Sequence, residues 1–261
     1  MSTAQAAVLE VHQENNVATL ILNRPNQFNV LSEALLKALI EELKRLQEDP
    51  KLRCVVIESR GVAFCAGHDL KEMRSKPDLA YYRELFATCT RFMQAIRQLP
   101  VPVIAKVHGL ATAAGCQLVA ACDLAISADN AKFAVSGINV GLFCSTPAVA
   151  LSRNILPKQA FEMLITARFI DAYSAQKQGL INDVVPADKL DDRVQLLVDD
   201  ILAKSNAAVR YGKTMFYQQL TMPLTDAYEY AAEVMAQNMM EDDVAEGIDA
   251  FIEKRQALWQ S

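Results

Sequence analysis

The 261-residue sequence is poor in glycine and proline, with nine of each, which excludes a collagen-like or Pro/Gly-rich disordered chain. It has three histidines and no Cys-x-x-Cys pair, too little to suggest a metal site. No apolar run reaches the ~20 residues of a membrane span; the longest apolar-rich stretch, 118–126, is broken by Asp123. Residues 1–16 lack a basic segment leading into an apolar one and are not Arg-rich, so they read as neither a signal nor a transit peptide, and the expected setting is cytoplasmic. A basic excess is missing too. The 26 Lys and Arg are outnumbered by 31 Asp and Glu, which argues against a nucleic-acid partner but leaves room for a small basic pocket that takes a phosphate. The six cysteines, at 54, 65, 89, 116, 122 and 144, sit largely in apolar runs. Without a secretion signal they are better read as buried thiols than as disulfides.

What is present is a strongly apolar chain, 52% hydrophobic and 22% charged. It is long enough for one α/β domain with its own core. Residues 8–11 and 17–22 read as a hairpin joined across 13–16. Ser32 reads as the N-cap of a helix reaching Gln47, with Leu35, Leu36, Leu39, Ile40, Leu43 and Leu46 at helical spacing. Strands follow at 54–57, 102–107 and 124–127, separated by a loop over 59–69, a helix over 78–99, a small-residue loop over 108–115 and an apolar helix over 116–122. That alternation implies a largely parallel sheet. Beyond about residue 147 helical patterns dominate, with one strand-like piece at 180–185.

Three stretches stand apart: Phe64-Cys65-Ala66-Gly67-His68-Asp69-Leu70, the small-residue run 109–117, and 133–147. The second opens directly onto a helix. Small residues let a ligand approach the backbone, and a helix start offers unpaired N–H groups to an oxyanion or phosphate; more often, small residues there serve tight helix–sheet packing.

Taken in order, these and other pieces resemble the crotonase (enoyl-CoA hydratase/isomerase) family. They include Asn23-Arg24-Pro25 with Asn29-Val30-Leu31, the 63–70 segment, Lys106-Val107-His108-Gly109, Ala114-Gly115-Cys116-Gln117-Leu118 with Ala121-Cys122-Asp123, Gly141-Leu142, and Glu246-Gly247 with Lys254-Arg255. They span nearly the whole chain, and residues 139–147 match one narrower branch. The resemblance implies an α/β fold: a crotonase-like spiral of ββα units over residues 1–195, then a helical trimerisation region over 196–261. It also implies an acyl-CoA ligand, no cofactor or metal beyond the CoA itself, and a homotrimer or dimer of trimers with no membrane partner.

By position, the resemblance assigns the thioester carbonyl to the backbone amides of His68 and Ala114, with the His68 ring turned toward solvent or the ligand's edge. It assigns CoA contacts to Arg24, Phe28, Cys65, Ala66 and Lys254. Asp69, Leu70, Ser136 and Asn139 are further candidates at the substrate, Ser136 and Asn139 as groups able to position water, and the His68 ring could act as a base if it turned inward. For Asp69 the plainer reading is a residue that pins its loop, and for Arg24 and Lys254 it is ordinary surface charge. The chain then departs from the pattern. Hydratases of this family use two Glu to position and activate water; here Gln117 and Gly137 stand at those positions. Gln117 can orient water but cannot accept its proton. The expected activity is therefore weak hydration or another acyl-CoA reaction, such as decarboxylation, hydrolysis or C–C cleavage, and the alternative is a non-catalytic acyl-CoA-binding protein.

Overall fold

The computed structural model describes residues 7–260. Strands β1 (Leu9–Glu14) and β2 (Val17–Leu22) pair antiparallel from Leu9 with Leu22 to Glu14 with Val17. The strands run further than the sequence suggests, and the turn is only Asn15-Asn16, with φ of 50° and 65°. A two-residue hairpin needs that left-handed pair, and asparagine tolerates it. Beyond β2 the pairing is parallel: β3 (Cys54–Ser59), β5 (Val103–Val107), β7 (Leu124–Ala128) and β10 (Asp183–Val185) complete a sheet of order β1-β2-β3-β5-β7-β10.

A second sheet was not legible in the sequence. Strands β4 (Ala63–Cys65), β6 (Leu110–Thr112), β8 (Lys132–Ala134) and β9 (Ile170–Asp171) form it, in the order β4-β6-β8-β9. The sequence reads 59–69 and 108–115 as loops because two- and three-residue strands are too short to display a period. Each pass of the chain lays a strand in the large sheet and a strand in the small one, then a helix. The successive passes end in α2 (Leu70–Ser75) with α3 (Leu79–Gln98), in α4 (Ala114–Ala121), and in α5 (Ser145–Leu151) with α6 (Pro157–Thr166). This is the expected spiral. Helix α1 (Glu33–Gln47) precedes these passes, and α7 (Ala172–Gln178), α8 (Leu190–Leu202), α9 (Asn206–Gln219), α10 (Leu224–Asn238) and α11 (Asp242–Glu253) follow them. Residue 195, where the sequence reading divides core from helical end, lies within α8.

The helix starts are chemically marked. Ser32 Oγ accepts from the Leu35 amide, and Asp78 accepts from the Tyr81 amide at 2.9 Å. Leu35, Leu39 and Leu43 of α1 and Phe92 of α3 enter a core with Leu20, Leu22, Ile57, Phe64 and Phe133. Burying each such side chain is worth about 1.5–3 kcal/mol. The opposite face of the large sheet buries Val56, Ile104 and Ile126 under Val194 and Val198 of α8. Both faces are therefore covered, as a parallel sheet requires. All six cysteines are buried and free, and among the described residues no helix is long and apolar enough to cross a membrane.

One buried ion pair fastens α9 to this core. Lys213 Nζ pairs with Asp123 Oδ2 at 2.7 Å and donates to the Ile96 and Val101 carbonyls at 3.1 and 2.8 Å. Asp123 Oδ2 also accepts the Val103 amide at 2.7 Å. Burial pulls the Lys213 pKa down, against the opposing pull of Asp123. Lys213→Ala leaves Asp123 buried without its counter-charge, so urea unfolding followed by circular dichroism should show a loss of about 3–5 kcal/mol.

Candidate active site

Two backbone segments meet where β4 runs into the 66–69 loop and β6 turns into α4. Gly115 faces the Cys65 carbonyl so closely that a Cβ there would lie 2.0 Å from the oxygen. Gly67, at φ 93°, occupies a left-handed conformation, and a Cβ on it would sit 2.9 Å from Ala113 Cβ and 3.3 Å from the Ala114 nitrogen. Ala113 makes the turn into α4 at φ 50°, ψ −119°, and its amide donates to the Ala134 carbonyl at 3.0 Å. For a non-glycine residue that conformation costs on the order of 1–3 kcal/mol.

The amides at this junction are oriented by their neighbours. Leu31 donates to the Gly67 carbonyl at 2.7 Å and forms an isolated parallel bridge with His68. In parallel pairing Leu31 bonds the residues flanking His68, so the N–H of His68 faces away from Leu31. Ala114 opens α4, and the first amides of a helix have no intrahelical acceptor. His68 and Ala114 both line a cavity of about 260 Å³, together with Met73, Phe86, Ser136 and Gly137 among others.

Of the placements the sequence left open for the His68 ring, the structure excludes solvent and turns the ring inward. It packs edge-on against Phe86 with centroids 5.5 Å apart, and both ring nitrogens are buried without a hydrogen-bond partner among the described residues. Burial lowers its pKa, against a smaller opposing influence from the Leu31 backbone. Met73 and Phe86 were missed in the sequence, where nothing distinguishes them from ordinary helical apolar positions.

The other expected contacts divide. Ala66 and Ser136 line the cavity, and Leu70 stands half-exposed at its edge. Asp69 caps α2, accepting the amides of Lys71 and Glu72 at 3.1 and 3.3 Å, and it takes an Arg24 Nη2 at 3.2 Å. The second arm of Arg24 donates to the Val30 carbonyl at 2.9 Å, so this guanidinium braces the loop. Phe28 is exposed, and its carbonyl accepts the Ala66 amide at 3.0 Å. Cys65 lies outside the cavity: its side chain is fully buried, and burial pushes its thiol up to about 12. Asn139 and Lys254 are exposed and also stand outside the cavity lining, Lys254 as the left-handed C-cap of α11.

Gln117 is not on this cavity's wall. It is 5% exposed, and it lines an adjoining cavity of about 320 Å³ that shares Thr146 with the first. At Gly137 the absence of a side chain is matched by an absence of room. A Cβ would lie 2.5 Å from Cys144 Sγ and 2.6 Å from the Leu142 carbonyl oxygen, because Leu142 folds back to donate to Gly137 at 3.0 Å. Burial raises the Cys144 pKa, with a smaller opposing effect of the Gly137 amide, so the thiol serves as packing rather than as a nucleophile. Glu162, the next carboxylate in sequence, is exposed and paired with Arg168 at 3.2 Å.

Two outcomes test this geometry. Gly137→Ala should lower stability by about 1–3 kcal/mol through overpacking. Adding Cys144→Ala should recover only part of that loss in thermal melts, because the Leu142 carbonyl still blocks the new methyl. For His68, the folded pKa lies below the ordinary 6.5. As pH falls below 6.5, the unfolded chain takes up a proton that the folded chain refuses, so stability declines from there down to the lowered folded pKa. A His68→Asn variant should show a flatter decline over that window in urea titrations at stepped pH.

The chain is similar to known proteins over nearly its whole length. A family model described as enoyl-CoA hydratase/isomerase matches residues 12–261. Enoyl-CoA hydratase domain-containing protein 3, mitochondrial, of Xenopus laevis is 44% identical over 249 residues, 95% of this chain and 85% of that protein. A crystal structure of an enoyl-CoA hydratase from Mycobacterium smegmatis superposes with a TM-score of 0.96 at 55% identity, over 97% of this chain and 99% of the other. The human enoyl Coenzyme A hydratase domain-containing protein 3 does so with a TM-score of 0.94 at 42% identity, over 97% and 100%.

Proposed function

The chain belongs to the enoyl-CoA hydratase/isomerase family, and on that premise we propose that it binds an acyl-CoA thioester and holds the carbonyl oxygen between the amides of His68 and Ala114. The observation that supports this reading is that His68 and Ala114 line one largely apolar cavity, where close backbone contact at Gly67 and Gly115 brings their segments together. When a carbanion forms beside the thioester, charge moves onto that oxygen. Each preorganised donor then lowers the barrier by about 2.7–4 kcal/mol. No cofactor enters this scheme.

The chemistry that follows is limited by what surrounds the oxygen. Neither 117 nor 137 carries a carboxylate, and Gly137 has no room for one. The proposed enzyme therefore favours acyl-CoA reactions that need stabilised charge on the thioester oxygen, as an enolate or a tetrahedral oxyanion, more than a paired acid and base, with decarboxylation, hydrolysis or C–C cleavage ahead of hydration. The same missing carboxylates support a second reading, an acyl-CoA-binding protein without catalysis. Assembly as a homotrimer or dimer of trimers belongs to the proposal, supported by large apolar side chains left exposed on α9 to α11, among them Phe216, Tyr228, Met235 and Phe251. A cytoplasmic setting suits six unpaired thiols, whereas the Xenopus relative carries the word mitochondrial in its name.

Acetoacetyl-CoA tests the central claim, because its enolate absorbs in the near ultraviolet. Binding should raise that absorbance at constant pH, and a product screen with crotonyl-CoA, a malonyl-type CoA and a saturated acyl-CoA then separates the enzyme from the binder. Binding of acetoacetyl-CoA without any enolate signal would sink the oxyanion assignment.

A further inference from the structure

The cavity that receives Gln117 has features that the thioester site does not use. Gln117 lines this space, and its Oε1 is buried without a partner among the described residues. Thr146 borders both cavities, so the second lies next to the first across the start of α5. Its outer wall carries Arg97 of α3 and Arg153, just beyond the end of α5. Arg97 stacks over the Tyr217 ring at 4.1 Å, and Arg153 donates to the Val149 carbonyl at 3.0 Å. Neither forms an ion pair among the described residues, and no Asp or Glu lines either cavity. Two arginines thus line an acid-free space next to the proposed carbonyl site, and both also border the neighbouring cavity that holds Tyr217.

We propose that this second cavity receives the far end of the acyl chain, and that the preferred substrates are CoA thioesters whose acyl group ends in a carboxylate. The inference rests on the acyl-CoA reading above and narrows its substrate class. A methyl-ended chain gains nothing from two exposed arginines. A carboxylate gains charge-assisted hydrogen bonds from planar donors whose geometry matches it. The residue at 117 fits the same logic. A Glu there would put a negative charge in the cavity that the incoming carboxylate enters, and the amide removes that repulsion while keeping the hydrogen-bonding capacity. The substitution that weakens hydration therefore also admits a doubly functional acyl chain.

Calorimetric titration compares octanoyl-CoA and decanoyl-CoA with their carboxyl-ended counterparts, suberoyl-CoA and sebacoyl-CoA. In wild type at least one carboxyl-ended member should bind about tenfold tighter than its methyl-ended partner, and the gap should shrink with added salt. Arg97→Gln/Arg153→Gln should close the gap. Arg153→Gln alone, which leaves the Arg97–Tyr217 stack in place, should narrow it, and Gln117→Glu should also narrow it. Near-ultraviolet circular dichroism reports whether each variant keeps its fold. Equal or weaker binding of the carboxyl-ended series by wild type, or a gap that stays at its wild-type size in a folded Arg153→Gln protein, overturns the inference while leaving the acyl-CoA reading intact. Failure of all four thioesters to bind overturns both.

Discussion

The site depends on one close approach, that of the Cys65 carbonyl to the α-carbon of Gly115. Any side chain at 115 would collide with that oxygen at 2.0 Å, so the 66–69 loop can lie on the start of α4 only with glycine there. The contact is backbone against backbone, and it fixes where the His68 and Ala114 amides stand. Its supports are distributed over distant parts of the chain. Leu31 holds the Gly67 carbonyl, Phe28 holds the Ala66 amide, Thr112 Oγ1 donates to the Ala66 carbonyl at 3.1 Å, and Arg24 and Asp69 clamp the far end of the loop. A site made of main-chain atoms tolerates wide variation in side chains, which is how one fold can keep its binding geometry while its chemistry changes.

Positions 137 and 144 pack together. The space beside the Gly137 α-carbon is filled by the Cys144 thiol and by the carbonyl of Leu142, folded back over the turn that begins at Ser136. The bare α-carbon and the packing against it are therefore one arrangement spread over eight residues. Placing an acid at 137 asks the backbone to move, not merely a side chain to rotate. Position 117 differs in kind: Gln keeps the shape of Glu and the helix that carries it, and alters only charge and proton affinity.

Much of this was legible in the sequence, and the limits have physical causes. Ser32 announced its helix because an N-cap side chain is a local device whose partner lies three residues on. The parallel sheet showed itself in unbroken apolar runs such as Cys54-Val55-Val56-Ile57. The small-residue stretch before α4 signalled a close approach of backbone but not to what, since Cys65 lies fifty residues away. The second sheet left no trace because its strands are too short to carry a pattern. The direction of the Gln117 side chain, the closing of Gly137 by Cys144 and the inward ring of His68 all depend on the rotation of one element against another, which no spacing encodes.

Electrostatics unites these features. Burial keeps the His68 ring from taking a proton, the Cys144 thiol is held above its ordinary pKa, and no carboxylate lines the cavity. The groups around the proposed carbonyl site are thus neutral near pH 7 and act as dipoles rather than charges. Dipoles fixed in a weakly polarisable pocket stabilise a developing oxyanion more strongly than they would in water, and they need no reorganisation when it forms. Such a site can hold charge on an oxygen yet supplies no strong base to move a proton. On the proposed reading the electron pair must then be released by the substrate itself, as when a carboxylate leaves as carbon dioxide and its bonding pair flows into the thioester. On that reading the pocket favours substrates that carry their own leaving group, and the acid-free space beside it, lined by Arg97 and Arg153, is where the far-end carboxylate is proposed to sit.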